Sequence, residues 1–197
     1  MQLQPHRYEH YKTLLRDLLQ SVTTLIRNYV NTLKSQTPNL ITQANRLWEL
    51  RQRQRLVMGV ETTAANNLLT ASNAVYQQIY QAIESLLEAL DEIAKHIEDF
   101  ERISNELREE AQQNCELPTL SHCTGWLLQT LSVLQTQAKY LELHTRSLHP
   151  AAIESTTAKQ LQKDLQLVKE YELNICMGIA KAERQQLDIL PPLAITI

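Results

Sequence analysis

Glycine is almost missing from this chain, three in 197 residues. Loops that cradle phosphate, and the sharp elbows that present a catalytic serine, are built from closely spaced glycines. Gly59, Gly125 and Gly178 stand too far apart to build one. No catalytic-triad spacing appears either. Aromatic residues make up only 5%, and with Leu, Gln, Ala and Glu abundant, that scarcity argues for helix almost throughout. No apolar run approaches the ~18 residues that a membrane span needs. The opening Met1-Gln-Leu-Gln-Pro-His6 lacks the charged-then-apolar pattern of an export signal. A soluble protein is expected. Three cysteines, Cys115, Cys123 and Cys176, cannot all pair within one chain, and a reducing cytoplasm or nucleus is the expected home.

What the chain does have is a seam. From Glu61 to Gln113, Leu69, Tyr76, Ile79, Ile83, Leu86, Leu90, Ile93, Ile97, Phe100 and Leu107 recur mostly at alternating gaps of three and four. This is a heptad pattern, with Ser72 and Ser104 as polar exceptions. The segment holds no Pro and no Gly. An unbroken helix roughly 75 Å long is expected, and it needs partners along its length. Its flanking positions include Tyr80, Ala82, Leu87, Ala89, Ala94 and Ile103, an apolar stripe too wide for a two-stranded coil. The expected fold is therefore all-α: an elongated antiparallel helical bundle or coiled coil of four to five helices around one very long central helix. No 20 to 50 residue period recurs, which argues against a solenoid.

Around that helix the rest of one domain, 1–197, falls into place. The first helix is expected over about 5–36, with Tyr11, Leu15, Leu18, Val22, Leu25 and Tyr29 on one row and Leu19, Ile26, Val30 and Leu33 beside it. So wide a face implies two neighbours or an outside partner. Pro38 is expected to end this helix and begin a second over 38–57, since proline disfavours helical geometry at the residue before it. Gly59 marks a bend between Met58 and Thr63. The long helix then runs 61–113, a fourth 119–148, and a last helix from Pro150 to about 188. An apolar tail, 189–197, follows Pro191 and Pro192.

Charge is unevenly spread although the net is only −3. Residues 1–60 carry nine Lys or Arg against three acids, while residues 84–110 carry three against ten. The opposite faces are expected to lie side by side, orienting the helices more than strengthening them.

Several short patterns invite a function. His6-Arg7-Tyr8-Glu9-His10 spells the H-x-x-E-H of inverzincin metalloproteases. On a helix His6 and His10 share a face with Glu9 nearby as base, which would suit a metal-dependent hydrolase. The resemblance is five residues long, however, and covers nothing else. Cys115, His122 and Cys123 lack the ligand count and C-x-x-C spacing of structural zinc. Leu15-Arg16-Asp17-Leu18-Leu19 spells a docking motif, LxxLL, that any Leu-rich core helix also generates. Arg51-Gln-Arg-Gln-Arg55 offers a nucleic-acid module as an alternative, yet Arg53 points away from Arg51 and Arg55 on a helix, so no flat basic patch forms. Nucleic acid is not the expected partner. Trp48, Phe100 and Trp126 are the bulky aromatics that could anchor an interface.

These patterns point to a non-enzymatic coiled-coil adaptor, scaffold or structural subunit of a larger multiprotein assembly, with no cofactor and no metal. Its partners would be other helical proteins, in homo- or hetero-oligomers, met through heptad surfaces. The expected contact residues are Leu19, Ile26, Val30, Trp48, Leu87, Ile103 and Trp126. In architecture the chain resembles coiled-coil subunits of cytoskeletal, kinetochore or spindle, and vesicle-tethering complexes. No motif carries one of those families in particular.

Overall fold

A computed structural model describes residues 5–110, 118–185 and 190. The fold is all-α, a helical bundle with no strand among the described residues. In chain order the helices are α1 (Pro5–Val57), α2 (Thr62–Glu110), α3 (Pro118–Ser147), α4 (Ser155–Asp164) and α5 (Lys169–Gln185). None is long and apolar enough to cross a membrane.

The heptad seam forms the inner face of α2, unbroken over 49 residues. Ile79, Ile83, Leu86, Leu90, Ile93, Ile97, Phe100 and Leu107 are all buried, and Tyr76 is half-buried. Ser72 and Ser104 are buried too. Each hydroxyl donates to the carbonyl one turn earlier, Ser72 to Leu68 at 2.8 Å and Ser104 to Phe100 at 2.6 Å. A polar side chain thus enters the core with its hydrogen bond already made.

Pro38 does not end the first helix. Residues 5–36 and 38–57, expected as two helices, are one 53-residue helix with Pro38 inside it. α1, at 53 residues, is therefore as much a long helix as α2, at 49. An interior proline costs about 3 kcal/mol. Leu33, Leu40 and Leu47, at seven-residue spacing about it, are fully buried. Each contributes roughly 1.5 to 3 kcal/mol, so the burial outweighs the break. Thr37 Oγ1 also donates to the Leu33 carbonyl at 2.7 Å.

The expected bend after α1 is present. Val57 O accepts from Val60 N at 3.0 Å and from Glu61 N at 3.1 Å, and Gly59 adopts a φ of 94°. That left-handed conformation suits glycine, which has no Cβ to clash.

The last expected helix, 150–188, is instead two. Pro150 lies in a turn, and Glu154 N donates to Thr157 Oγ1 at 3.3 Å where α4 begins. Leu165-Gln-Leu-Val168 then separates α4 from α5, although the sequence there holds no breaker. A local carbonyl is taken elsewhere: Gln137 Nε2 donates to Asp164 O at 3.0 Å, while the Thr37 hydroxyl, whose proton goes to Leu33 O, lies 3.4 Å from Leu165 O. A tertiary partner thereby replaces the amide that would have continued the helix. Of the tail 189–197 only Leu190, which is buried, lies within the described residues.

The chain divides into two compact units, the first comprising 1–28, 90–133 and 169–197, the second 29–89 and 134–168. Each draws on four helices. In the first unit Arg7 Nη2 and Tyr11 Oη, at the start of α1, donate to Glu110 Oε1 at the end of α2, at 2.6 and 3.0 Å. Arg108 Nη2 near that end donates to Ser121 Oγ near the start of α3 at 3.0 Å. Successive helices here are antiparallel. Its core includes Leu15, Leu19, Val22 and Ile26 of α1, Ile93, Ile97 and Phe100 of α2, Leu120 and Leu127 of α3, and Ile175 and Ile179 of α5. In the second unit Leu33, Leu40 and Leu47 belong with Ile79, Ile83, Leu86, Leu134, Leu141, Ile153 and Leu161. There the Tyr76 ring meets His149 edge-on at 5.3 Å.

The charge asymmetry is used sparingly. Arg7 bridges to Glu110, but Arg27 pairs with Glu183 of α5, and Arg102 is held within α2 by Asp99 and Glu106. Exposed pairs of this kind contribute up to about 1 kcal/mol each.

Candidate interaction surfaces

Of the residues expected to contact a partner, Leu19, Ile26, Val30 and Ile103 are buried in the chain's own core. The second apolar row of α1 is covered by helices of the same chain. Arg27 of α1 pairs with Glu183 of α5, which marks α5 as one of the two neighbours that the wide face required. Leu15 of the LxxLL string is likewise buried, and Leu18 half-buried. Trp48, Leu87 and Trp126 are half-buried, and Phe100 is core.

His6, Glu9 and His10 lie exposed on the first turns of α1. Among the described residues no three His, Cys, Asp or Glu side chains gather where they could hold a metal. Cys115 lies outside the described residues. Cys123 is a buried thiol and Cys176 an exposed one. Burial pushes the Cys123 thiol up, against a smaller opposing effect of Lys181, so it is not poised as a thiolate nucleophile. Arg53 and Arg55 are exposed, with the Arg55 guanidinium 6.0 Å over Trp48, while half-buried Arg51 donates to Gln54. The arginines do not converge on one patch.

A polar cluster joins α3 and α4 in the second unit. His144 Nδ1 pairs with Asp164 Oδ2, whose other oxygen accepts from Gln160 Nε2 at 3.1 Å. The Asp164 side chain is almost enclosed, and Tyr140 stacks on the His144 ring at 6.5 Å. A histidine oriented by a carboxylate is half of a hydrolytic constellation. Both described thiols belong to the other unit. The cluster's evident work is to fasten the end of α4 to α3.

Among the described residues two surfaces stand out, both with large apolar side chains left in water. The first is the corner between α1 and α2. Leu56 is 79%, Met58 69% and Val60 88% exposed, three within five residues. The Gly59 turn that reverses the chain also carries these side chains to its outside. The second lies in the first unit, between α3 and α5. A groove of about 870 Å³ is lined by His122, Cys123, Gly125, Trp126 and Gln129 of α3 and by Asn174, Met177, Gly178, Lys181 and Arg184 of α5. Leu173 and Met177 of α5 are 59% and 62% exposed. Sequence reasoning located the bend at Met58 but not its exposure. It missed Leu173 and Met177 altogether, although both fall off the buried Ile175–Ile179–Ala182 row.

Neither models of known families, nor curated proteins, nor solved structures match the chain.

Proposed function

We propose that the protein is a non-enzymatic adaptor or structural subunit of a larger protein assembly, which it joins through an exposed apolar corner. The observation that carries this reading is the α1–α2 corner. An isolated exposed leucine is ordinary, but Leu56, Met58 and Val60 together form an apolar knob. Methionine is unbranched and adapts to irregular surfaces. Arg53 and Arg55 stand just before the knob, so the fitting partner offers an apolar recess with acidic residues at its rim. The exposed thiol of Cys176 suits a reducing cytoplasm or nucleus.

The test is affinity purification of the tagged full chain from its own cells, compared with a Leu56→Ser/Met58→Ser/Val60→Ser variant. All three side chains are exposed, so the variant keeps its helix content by circular dichroism. A protein recovered in stoichiometric amount with the wild type and lost with the variant supports the reading. Failure to recover any stoichiometric protein, or equal recovery with both forms, overturns it.

A further inference from the structure

Helix α5 carries two stripes. Ile175, Ile179 and Ala182 face the core of the first unit. On the other side Glu170, Leu173, Met177, Ala180 and Arg184 are exposed and follow one another at gaps of three, four, three and four. That spacing draws a single line along a helix. The line is sorted by chemistry: an acid at its start, apolar groups in its middle, and Arg184, with Lys181 beside it, at its end. It is also balanced about Met177. Glu170 lies seven residues before and Arg184 seven after; Leu173 lies four before and Lys181 four after.

We propose that this stripe is the contact of a symmetric homodimer, in which α5 packs antiparallel against α5 of a second copy with the two-fold axis passing at Met177. A two-fold axis makes residue i meet residue j and j meet i. Each Glu170 then faces the other copy's Arg184, and this pair forms twice. The two Met177 side chains meet on the axis. Each Leu173 lies along the methylene stem of the other copy's Lys181, whose ammonium stays in water. Parallel pairing would set Glu170 on Glu170 and Arg184 on Arg184, so the charges select the antiparallel arrangement. A different protein would need α5's own pattern in reverse, and a second copy supplies it. The open groove against α3, beside Met177 and Lys181, gives the incoming helix room to seat. This surface belongs to the first unit and the apolar corner to the second, so the dimer stands or falls separately from the adaptor reading.

The experiment is sedimentation velocity on the full chain over a dilution series reaching tens of micromolar. The expected species has twice the 22.7 kDa chain mass. Met177→Glu, at an exposed position, gives a helical monomer by circular dichroism and sedimentation. Arg184→Glu sets like charges opposite each other and weakens dimerisation roughly tenfold or more. Adding Glu170→Arg to that variant restores dimerisation to within a few-fold of wild type. A wild type that stays monomeric throughout the series overturns the proposal. So does a dimer that survives Met177→Glu, or one that the charge swap fails to rescue.

Discussion

The indole of Trp126 fills the space that a side chain at Gly178 would need. A Cβ placed on Gly178 would lie 1.8 Å from the indole Nε1 and 2.0 Å from Cε2. Gly125, one residue before Trp126, is the converse: a Cβ there meets nothing within 4 Å. Both glycines sit inside helices, where glycine costs about 1 kcal/mol relative to alanine.

Opposite outcomes are therefore expected for the same substitution. Gly125→Ala stabilises the chain by about 0.5 to 1 kcal/mol, the helix-propensity gain. Gly178→Ala destabilises it by about 1 to 2 kcal/mol, because the rigid ring must move, and it shifts Trp126 emission to the red. In a Trp126→Leu background the penalty at 178 disappears. Urea denaturation of the wild type, the three single variants and the Trp126→Leu/Gly178→Ala double variant checks this, and a Gly178→Ala chain as stable as wild type contradicts it.

Pro38→Ala restores the amide that α1 lacks at its middle. A gain of about 1 to 2 kcal/mol is expected, less than the full interior penalty because the alanine chain has more freedom when unfolded. Thermal denaturation measures it. No gain would mean that α1 already compensates fully for the missing donor.

Tyr29 is buried, and its hydroxyl has no hydrogen-bond partner among the described residues. Desolvation pushes its pKa up from 10.0 to about 12. The folded chain thus holds this proton more tightly than the unfolded one. Its contribution is whole below pH 10 and is lost as pH rises from 10 towards 12, by about 2 to 3 kcal/mol at most. Tyr29→Phe removes that alkaline loss and, by deleting an unpartnered polar atom, does not weaken the chain at neutral pH. Measured between pH 9 and 12, the stabilities of the two chains should run parallel below pH 10 and diverge above it, the wild type losing more.

Glu110 accepts from both Arg7 and Tyr11. Desolvation, then the hydrogen bond and charge of Glu110, hold the Tyr11 hydroxyl above its ordinary pKa. Glu110→Ala is expected to cost about 1 to 2 kcal/mol, mostly through the tyrosine, since the Arg7 side is exposed. Tyr11 should titrate at lower pH in this variant, read by tyrosinate absorbance against a Tyr11→Phe control.

The seam of α2 was legible because its period runs through dozens of residues and survives local exceptions such as Ser72 and Ser104. The Met58 turn was legible because glycine there meets a conformational need. Pro38 misled because a proline rule is local, whereas the burial of Leu33, Leu40 and Leu47 that overrides it depends on the whole unit. The α4–α5 joint left no trace in Leu165-Gln-Leu-Val168, since the donor that takes the Asp164 carbonyl is the side chain of Gln137, far away in sequence. Burial of the individual apolar residues was illegible for a related reason. Ile26 and Met177 are equally apolar letters, and only packing shows that one is enclosed and the other wet.

Neither compact unit is contiguous in the sequence, because α1, α2 and α3 each supply residues to both. No single cut of the gene can therefore deliver either one whole. Deletion mapping, the usual first resort for locating a binding region, would report collapse rather than lost affinity in this molecule. Its surfaces have to be dissected by point substitution in the intact chain.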